Sequence, residues 1–162
     1  MKIAITAFVV TTALTSTAAL ADQGLIKRGA YLARIMDCAG CHMPRDATGM
    51  PVEAAGLSGG TVGFEIPGMG IFWPPNLTPE PTGLGEWSQD DIATALRTGV
   101  RPDGRVLAPV MPWPSYAALS DVDMRALTAF LATMPPVESE RHPPVADARD
   151  ATAPFYRLTV PE

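Results

Sequence analysis

The chain of 162 residues holds two cysteines, two histidines and eight methionines. Three of these sulfur and imidazole groups fall in one pentapeptide, Cys38-Ala39-Gly40-Cys41-His42. Two thiols three positions apart, with an imidazole directly after the second, match the geometry of c-type haem attachment. The thiols add to the two vinyl groups of the porphyrin while the imidazole takes the iron. We therefore read Cys38 and Cys41 as the covalent anchors of one haem c and His42 as its first axial ligand. Two other chemistries use a similar spacing. A closed structural zinc site needs four protein ligands, and here the second histidine, His142, stands apart in a proline-rich tail. A redox dithiol of the thioredoxin kind belongs beside the strand and helix of a βαβ unit, and no β-branched run flanks this segment.

The group on the opposite side of the iron decides whether such a protein carries electrons or binds a small ligand. A thioether favours Fe(II), raises the reduction potential and closes the site. Among the methionines, Met36 and Met43 adjoin the attachment motif, while Met124 and Met134 lie on the apolar stripe of a helix, where core packing is the ordinary role. Met50 and Met69 are left as outsiders. Met111 sits in Pro109-Val110-Met111-Pro112-Trp113-Pro114, where proline rings restrict the backbone on both sides. We take Met111 as the second axial ligand, with Met69 next in order and His142 as the bis-histidine alternative. The haem propionates need donors if they are buried. Trp87, Asn76 and Arg101 lead the candidates for that role, ahead of Trp73, Arg97 and Arg105, although a packed indole or a solvated arginine is the equal alternative. The other ring nitrogen of His42 is expected to donate to a backbone carbonyl, with Pro51 named as acceptor.

The elements that must position these groups are legible in the periodicity. From Asp22 to Asp37 the positions Leu25, Ile26, Gly29, Ala30, Leu32, Ala33 and Met36 recur at helical spacing and lead straight into the motif. Residues 43–87 contain seven prolines and nine glycines with no sustained period. Their apolar side chains, from Phe64 to Trp87, suit a loop wrapped on a flat cofactor better than a solvated linker. Ser88-Gln89-Asp90-Asp91 opens a short helix that Gly99 stops. A second loop runs to Leu119, and the last helix starts at Ser120-Asp121-Val122-Asp123 and ends at Pro135-Pro136. The expectation is an all-α domain over 22–136, with about three to four short helices and long Pro/Gly-rich loops around one haem. A proline-rich extension, 137–162, follows; its segment from Pro154 to Leu158 is suited to dock on the body or on a partner.

Residues 1–21 have the pattern of a secretory signal: Lys2, an apolar run and Ala19-Leu20-Ala21 before Asp22. Cleavage near Ala21 predicts a periplasmic protein, and its loss of Lys2 makes the formal charge of −5 more negative by one. An acidic surface argues against nucleic acid or anionic lipid as a partner. No later window has an unbroken apolar run of membrane-spanning length, so membrane association is expected only through partners.

Several ordered blocks carry a resemblance. They are Gly29-x-Tyr31-Leu32-Ala33-Arg34, Cys38-x-x-Cys41-His42, Pro75-Asn76-Leu77-Thr78-Pro79, Gly83-Leu84-Gly85-x-Trp87-Ser88, Ala95-Leu96-Arg97-x-Gly99-Val100-Arg101-x-Asp103-Gly104 and Met111-Pro112-x-Pro114-Ser115-Tyr116. Together with Leu119-Ser120-Asp121 they resemble the cytochrome c subunits of bacterial periplasmic alcohol, gluconate, sorbitol and aldehyde dehydrogenases. The resemblance implies a class I cytochrome c fold, ligation by His42 and Met111, and electron transfer from a dehydrogenase subunit toward the respiratory chain, with a terminal oxidase or another cytochrome as acceptor. Many such subunits carry three haem domains and a carboxy-terminal anchor. This chain, with one motif, is expected to be a single-haem counterpart of their first domain, so quinone oxidation and direct anchoring are not carried over.

Outer-sphere electron transfer needs no general acid or base, so the chain is read as an electron-transfer protein and not as an enzyme. The competing reading is a haem enzyme or gas sensor with an open distal site.

Overall fold

The computed structural model describes residues 22–159; the signal-like segment 1–21 lies outside them. A helix, α1, occupies 22–35 and buries Gly29, Leu32 and Ala33, one stripe at three- and four-residue steps. It stops before Asp37, which the periodicity had included. Asp37 adopts a left-handed φ of 55°, and its carboxylate caps the next helix by accepting from Gly40 N at 3.1 Å. That helix, α2 (Cys38–His42), is the attachment motif itself. The chain thus turns sharply between α1 and α2, which presents the motif at an angle to the helix that delivers it.

Helix α3 (Gln89–Thr98) begins with a reciprocal capping box between Ser88 and Asp91 and ends on Gly99 at φ 73°. A one-turn helix, α4 (Trp113–Tyr116), lies where the sequence suggested only loop. Helix α5 (Asp121–Thr133) is capped by the Ser120 side chain, which accepts from Asp123 N. Leu32 and Ala33 of α1, Ile92 and Leu96 of α3, and Met124, Ala126, Leu127 and Leu131 of α5 form one buried core with Leu57 from the long loop. At about 25 cal/mol per Å2 of apolar surface removed from water, these aliphatic side chains are the main force holding the three long helices together.

The all-α expectation omitted a small sheet. β1 (Gly63–Ile66) and β2 (Gly70–Phe72) form an antiparallel hairpin with Phe64 opposite Phe72 and Ile66 opposite Gly70. β3 (Phe155–Tyr156) pairs parallel to β1, giving the order β2-β1-β3. Strands of two to four residues are too short to show a period of two. The third strand comes from the far end of the chain, a pairing that no local pattern encodes. Around it the extension docks on the hairpin. Ile71 exchanges backbone hydrogen bonds with Val145, Trp73 Nε1 donates to the Pro154 carbonyl at 3.0 Å, and Arg157 pairs with Glu65. Among the described residues no helix is long and apolar enough to cross a membrane.

Candidate functional site

Between the helical core and the long loops lies a mostly apolar cavity of about 670 Å3, in the range of roughly 300–1,000 Å3 common for small-molecule and cofactor sites. Cys38, Cys41, His42, Asn76, Trp87, Arg101 and Met111 all line it, so the residues singled out from the sequence meet at one place. Leu96, Leu127 and Leu131 form its floor on the core side, and Phe72, Trp73 and Pro74 contribute from the loop.

His42 is buried, and its Nδ1 lies 2.8 Å from the Pro75 carbonyl oxygen. A carbonyl only accepts, so this contact puts the proton on Nδ1 and leaves the Nε2 lone pair for a metal. The acceptor is therefore Pro75 and not Pro51, whose backbone pairs with Arg45 in an isolated bridge. Two consecutive prolines, Pro74 and Pro75, give a stiff segment with no N–H of its own to compete for that carbonyl. Burial lowers the pKa of His42 and outweighs the opposing effect of the Pro75 hydrogen bond, which keeps the imidazole neutral.

The thiols behave oppositely to those of a redox dithiol. Burial pushes Cys38 up to about 11, and burial with the nearby Asp37 charge raises Cys41 as well. Thiol–disulfide catalysts instead lower a thiol pKa so that thiolate is present near neutrality. The two cysteines form no disulfide with each other. Among the described residues no group of three or more His, Cys, Asp or Glu side chains gathers as a metal cluster would require.

Met111 reaches the cavity from a pinned loop. Its N–H donates to the Ala108 carbonyl at 2.9 Å, and Trp113 N–H donates back to the Met111 carbonyl at 2.8 Å. The Trp113 ring lies against Gly99 so closely that a Cβ there would come within 2.5 Å of it. The Met111 loop is thus fastened to the end of α3. Arg97 adds a second tie from α3, through Asp121 at 2.7 Å and the Ala117 and Leu119 carbonyls, and so serves as a clamp. Of the other methionines, Met69 is 54% exposed at the hairpin turn and Met50 is 62% exposed. Neither borders the cavity, whereas Met36 does, from the attachment side.

The candidates for anion binding separate on geometry. Asn76 lines the cavity but is fully used by the protein: Nδ2 donates to Thr82 Oγ1 and the Val137 carbonyl, and Oδ1 accepts from Thr78 N and Oγ1. Asn76 is in this arrangement a buried hub joining the loop to the extension, with both amide hydrogens taken by protein acceptors. Trp73 is likewise committed, to Pro154. Arg101 differs. Its guanidinium lies over the Trp87 ring at 5.5 Å, one amino group pairs with Asp103 at 3.4 Å, and its Nε is buried without a partner. A buried donor left unpaired costs roughly 1–3 kcal/mol, more when charged. That orphaned N–H, the apolar walls and the two thiols beside a neutral imidazole fit a haem with an anionic edge.

Residues 139–144 of the extension, among them Arg141 and His142, also line the cavity. The His142 ring packs on Trp73 with centroids 6.0 Å apart. The sequence placed His142 in a remote tail, because neither spacing nor composition signals that the tail returns.

The cytochrome c family model matches residues 26–135. Over 112 residues, 68% of this chain, the sequence is 42% identical to the cytochrome c subunit of an alcohol dehydrogenase (quinone) from Gluconobacter oxydans (strain 621H). It is 45% identical over 120 residues, 71% of the chain, to the gluconate 2-dehydrogenase cytochrome c subunit of Pantoea cypripedii. With the fructose dehydrogenase cytochrome subunit of Gluconobacter japonicus it shares 38% identity over 118 residues, 72% of the chain. The matched stretch spans only 21%, 25% and 23% of those three relatives.

Proposed function

The chain belongs to the cytochrome c family, which binds haem c covalently, and from that premise we propose that it is a periplasmic mono-haem electron-transfer subunit ligated by His42 and Met111. The single observation that carries this reading is the convergence of Cys38, Cys41, His42 and Met111 on one cavity. When bound, the haem supplies a one-electron Fe(III)/Fe(II) couple.

The chain's own residues do the rest. Cys38 and Cys41 fix the porphyrin in place. His42, oriented by Pro75 and kept neutral by its burial, would offer Nε2 to the iron. Met111, held by its two backbone hydrogen bonds between prolines, offers its sulfur from another part of the wall. Few of these groups need to move when charge is gained, and a small rearrangement is what fast electron transfer demands. Leu96, Leu127 and Leu131 exclude water, which favours the reduced, less charged centre.

Because this chain covers about a quarter or less of each relative above, its partner is part of the proposal. A dehydrogenase subunit gives the electron, and a terminal oxidase or another cytochrome takes it. The chain is then a carrier rather than a catalyst. Export through residues 1–21 would bring it to the compartment where haem is attached to such motifs.

Mass spectrometry of the exported protein tests the covalent haem and its count of one. Optical spectra and a redox titration test the ligands. A low-spin ferrous haem that does not bind CO is expected. A five-coordinate ferrous haem that binds CO at once would overturn the electron-transfer reading in favour of a haem enzyme or gas sensor.

A further inference from the structure

Segment 137–145 lines the cavity through residues 139–144 and is fixed at both ends by hydrogen bonds. At one end the Val137 carbonyl accepts from Asn76 Nδ2, Val137 N donates to Thr78 Oγ1, and Ser139 N donates to Thr82 Oγ1 at 3.3 Å. At the other end Val145 pairs with Ile71. Between these anchors Arg141 donates from Nη2 to the Thr82 carbonyl at 3.1 Å and borders the same cavity as Arg101 and Arg105. Arg105 is held by two hydrogen bonds to Asp103.

We propose that Arg141 completes a three-guanidinium site with Arg101 and Arg105 that takes a haem propionate carboxylate, so that the extension helps set the reduction potential. The inference rests on the haem reading given above. Its core is the buried Arg101 Nε, a charged donor with no acceptor in the protein. A guanidinium presents its N–H groups in a fork that fits a carboxylate, and the propionates are the haem's own carboxylates.

The charge balance agrees. Arg101 is pushed below the usual arginine range first by burial and then by Arg105, with Arg141 adding to the effect and Asp103 only partly opposing it. Glu140 borders the cavity, but among the described residues no ion pair joins it to any of the three arginines. A further anion would relieve the mutual repulsion. Sequence alone offered Arg101 and Arg105 for this role. Arg141 becomes visible only once the tail is seen to return.

The test uses the full, haem-loaded chain with Arg141→Gln and Arg141→Lys, titrated for reduction potential from pH 5 to pH 9. Removing a positive charge near the haem favours Fe(III), and Arg141→Gln is expected to shift the Fe(III)/Fe(II) equilibrium on the order of tenfold, about 59 mV for one electron. A propionate that has lost a cation also titrates nearer neutrality, so the potential of Arg141→Gln should become pH-dependent where the parent is flat. Arg141→Lys should restore most of both. An unchanged potential and pH profile in Arg141→Gln, with the spectrum intact, overturns the proposal. So does a normal potential with slowed reduction by the donor, which would put the arginine on a docking face. A parent protein without covalent haem or with an open axial position fails the functional reading itself, before any Arg141 variant is compared.

Discussion

Gly29 meets Ala126 backbone to backbone: a Cβ on Gly29 would overlap the Ala126 carbonyl and the Phe130 side chain. Helices α1 and α5 cross at this point, and α1 leads directly into the haem-attachment motif. The glycine is tolerated in the helix because nothing larger fits the crossing. Elsewhere in a helix alanine is better than glycine by about 1 kcal/mol. Here Gly29→Ala is expected to lose about 1–3 kcal/mol through overpacking, whereas Gly24→Ala, with open space around it, should be neutral or stabilising. Denaturant unfolding of the haem-loaded protein reads the opposite signs.

Met111→Ala removes the sulfur and leaves the loop's backbone hydrogen bonds in place. The ferrous haem is expected to become high-spin, to bind CO and to fall in potential. Met69→Ala, at an exposed turn away from the cavity, should leave spectrum and potential as they were. Magnetic or optical spectroscopy separates the two. A Met111→Ala protein with the parent's low-spin spectrum would remove Met111 from the iron.

Asn76→Ala tests the distinction between a hub and an anion donor. The side chain satisfies four partners at a position only 4% exposed, and its loss strands Thr78 N and leaves the Val137 carbonyl with the Thr78 hydroxyl as its remaining side-chain donor. The expected cost is about 2–4 kcal/mol, from buried groups left unpaired. The reduction potential should change little, because both amide hydrogens point to protein partners. A large fall in potential with unchanged stability would return Asn76 to the propionates.

What was legible in the sequence was local. Cys38, Cys41 and His42 carry their chemistry in their spacing. The caps at Ser88 and Ser120 are written in three or four adjacent residues, and the prolines around Met111 mark the loop that brings it to the cavity wall. What was not legible depends on residues far apart. Pro75 was missed as the His42 acceptor because any carbonyl in a loop of seven prolines qualifies by composition. β3 was missed because two residues have no period, and its partner strand lies some ninety positions earlier. Arg141 and His142 sit in a polar, proline-rich tail that looks the same in sequence whether it docks or not.

Asp103 gives the clearest pH dependence. Its carboxylate accepts from the Arg105 side chain and backbone, with Arg101 close by, and these contacts hold it down from 3.8 to about 2. A carboxyl group whose folded pKa lies below its unfolded one favours the folded state once it is ionised in both. The contribution is therefore complete above about pH 4 and is lost as the pH falls through 2. The pair is exposed, so salt should weaken it. Asp103→Asn is expected to unfold more readily than the parent at pH 5, with the gap closing as the solution is acidified toward pH 2 and narrowing in high salt. Equal midpoints for the two proteins at pH 5 and low salt would show that the Asp103 pairs do not stabilise the turn between Arg101 and Arg105. The arginines would then be held near the cavity by backbone hydrogen bonds alone, chiefly Arg101 N to the Arg105 carbonyl at 2.9 Å.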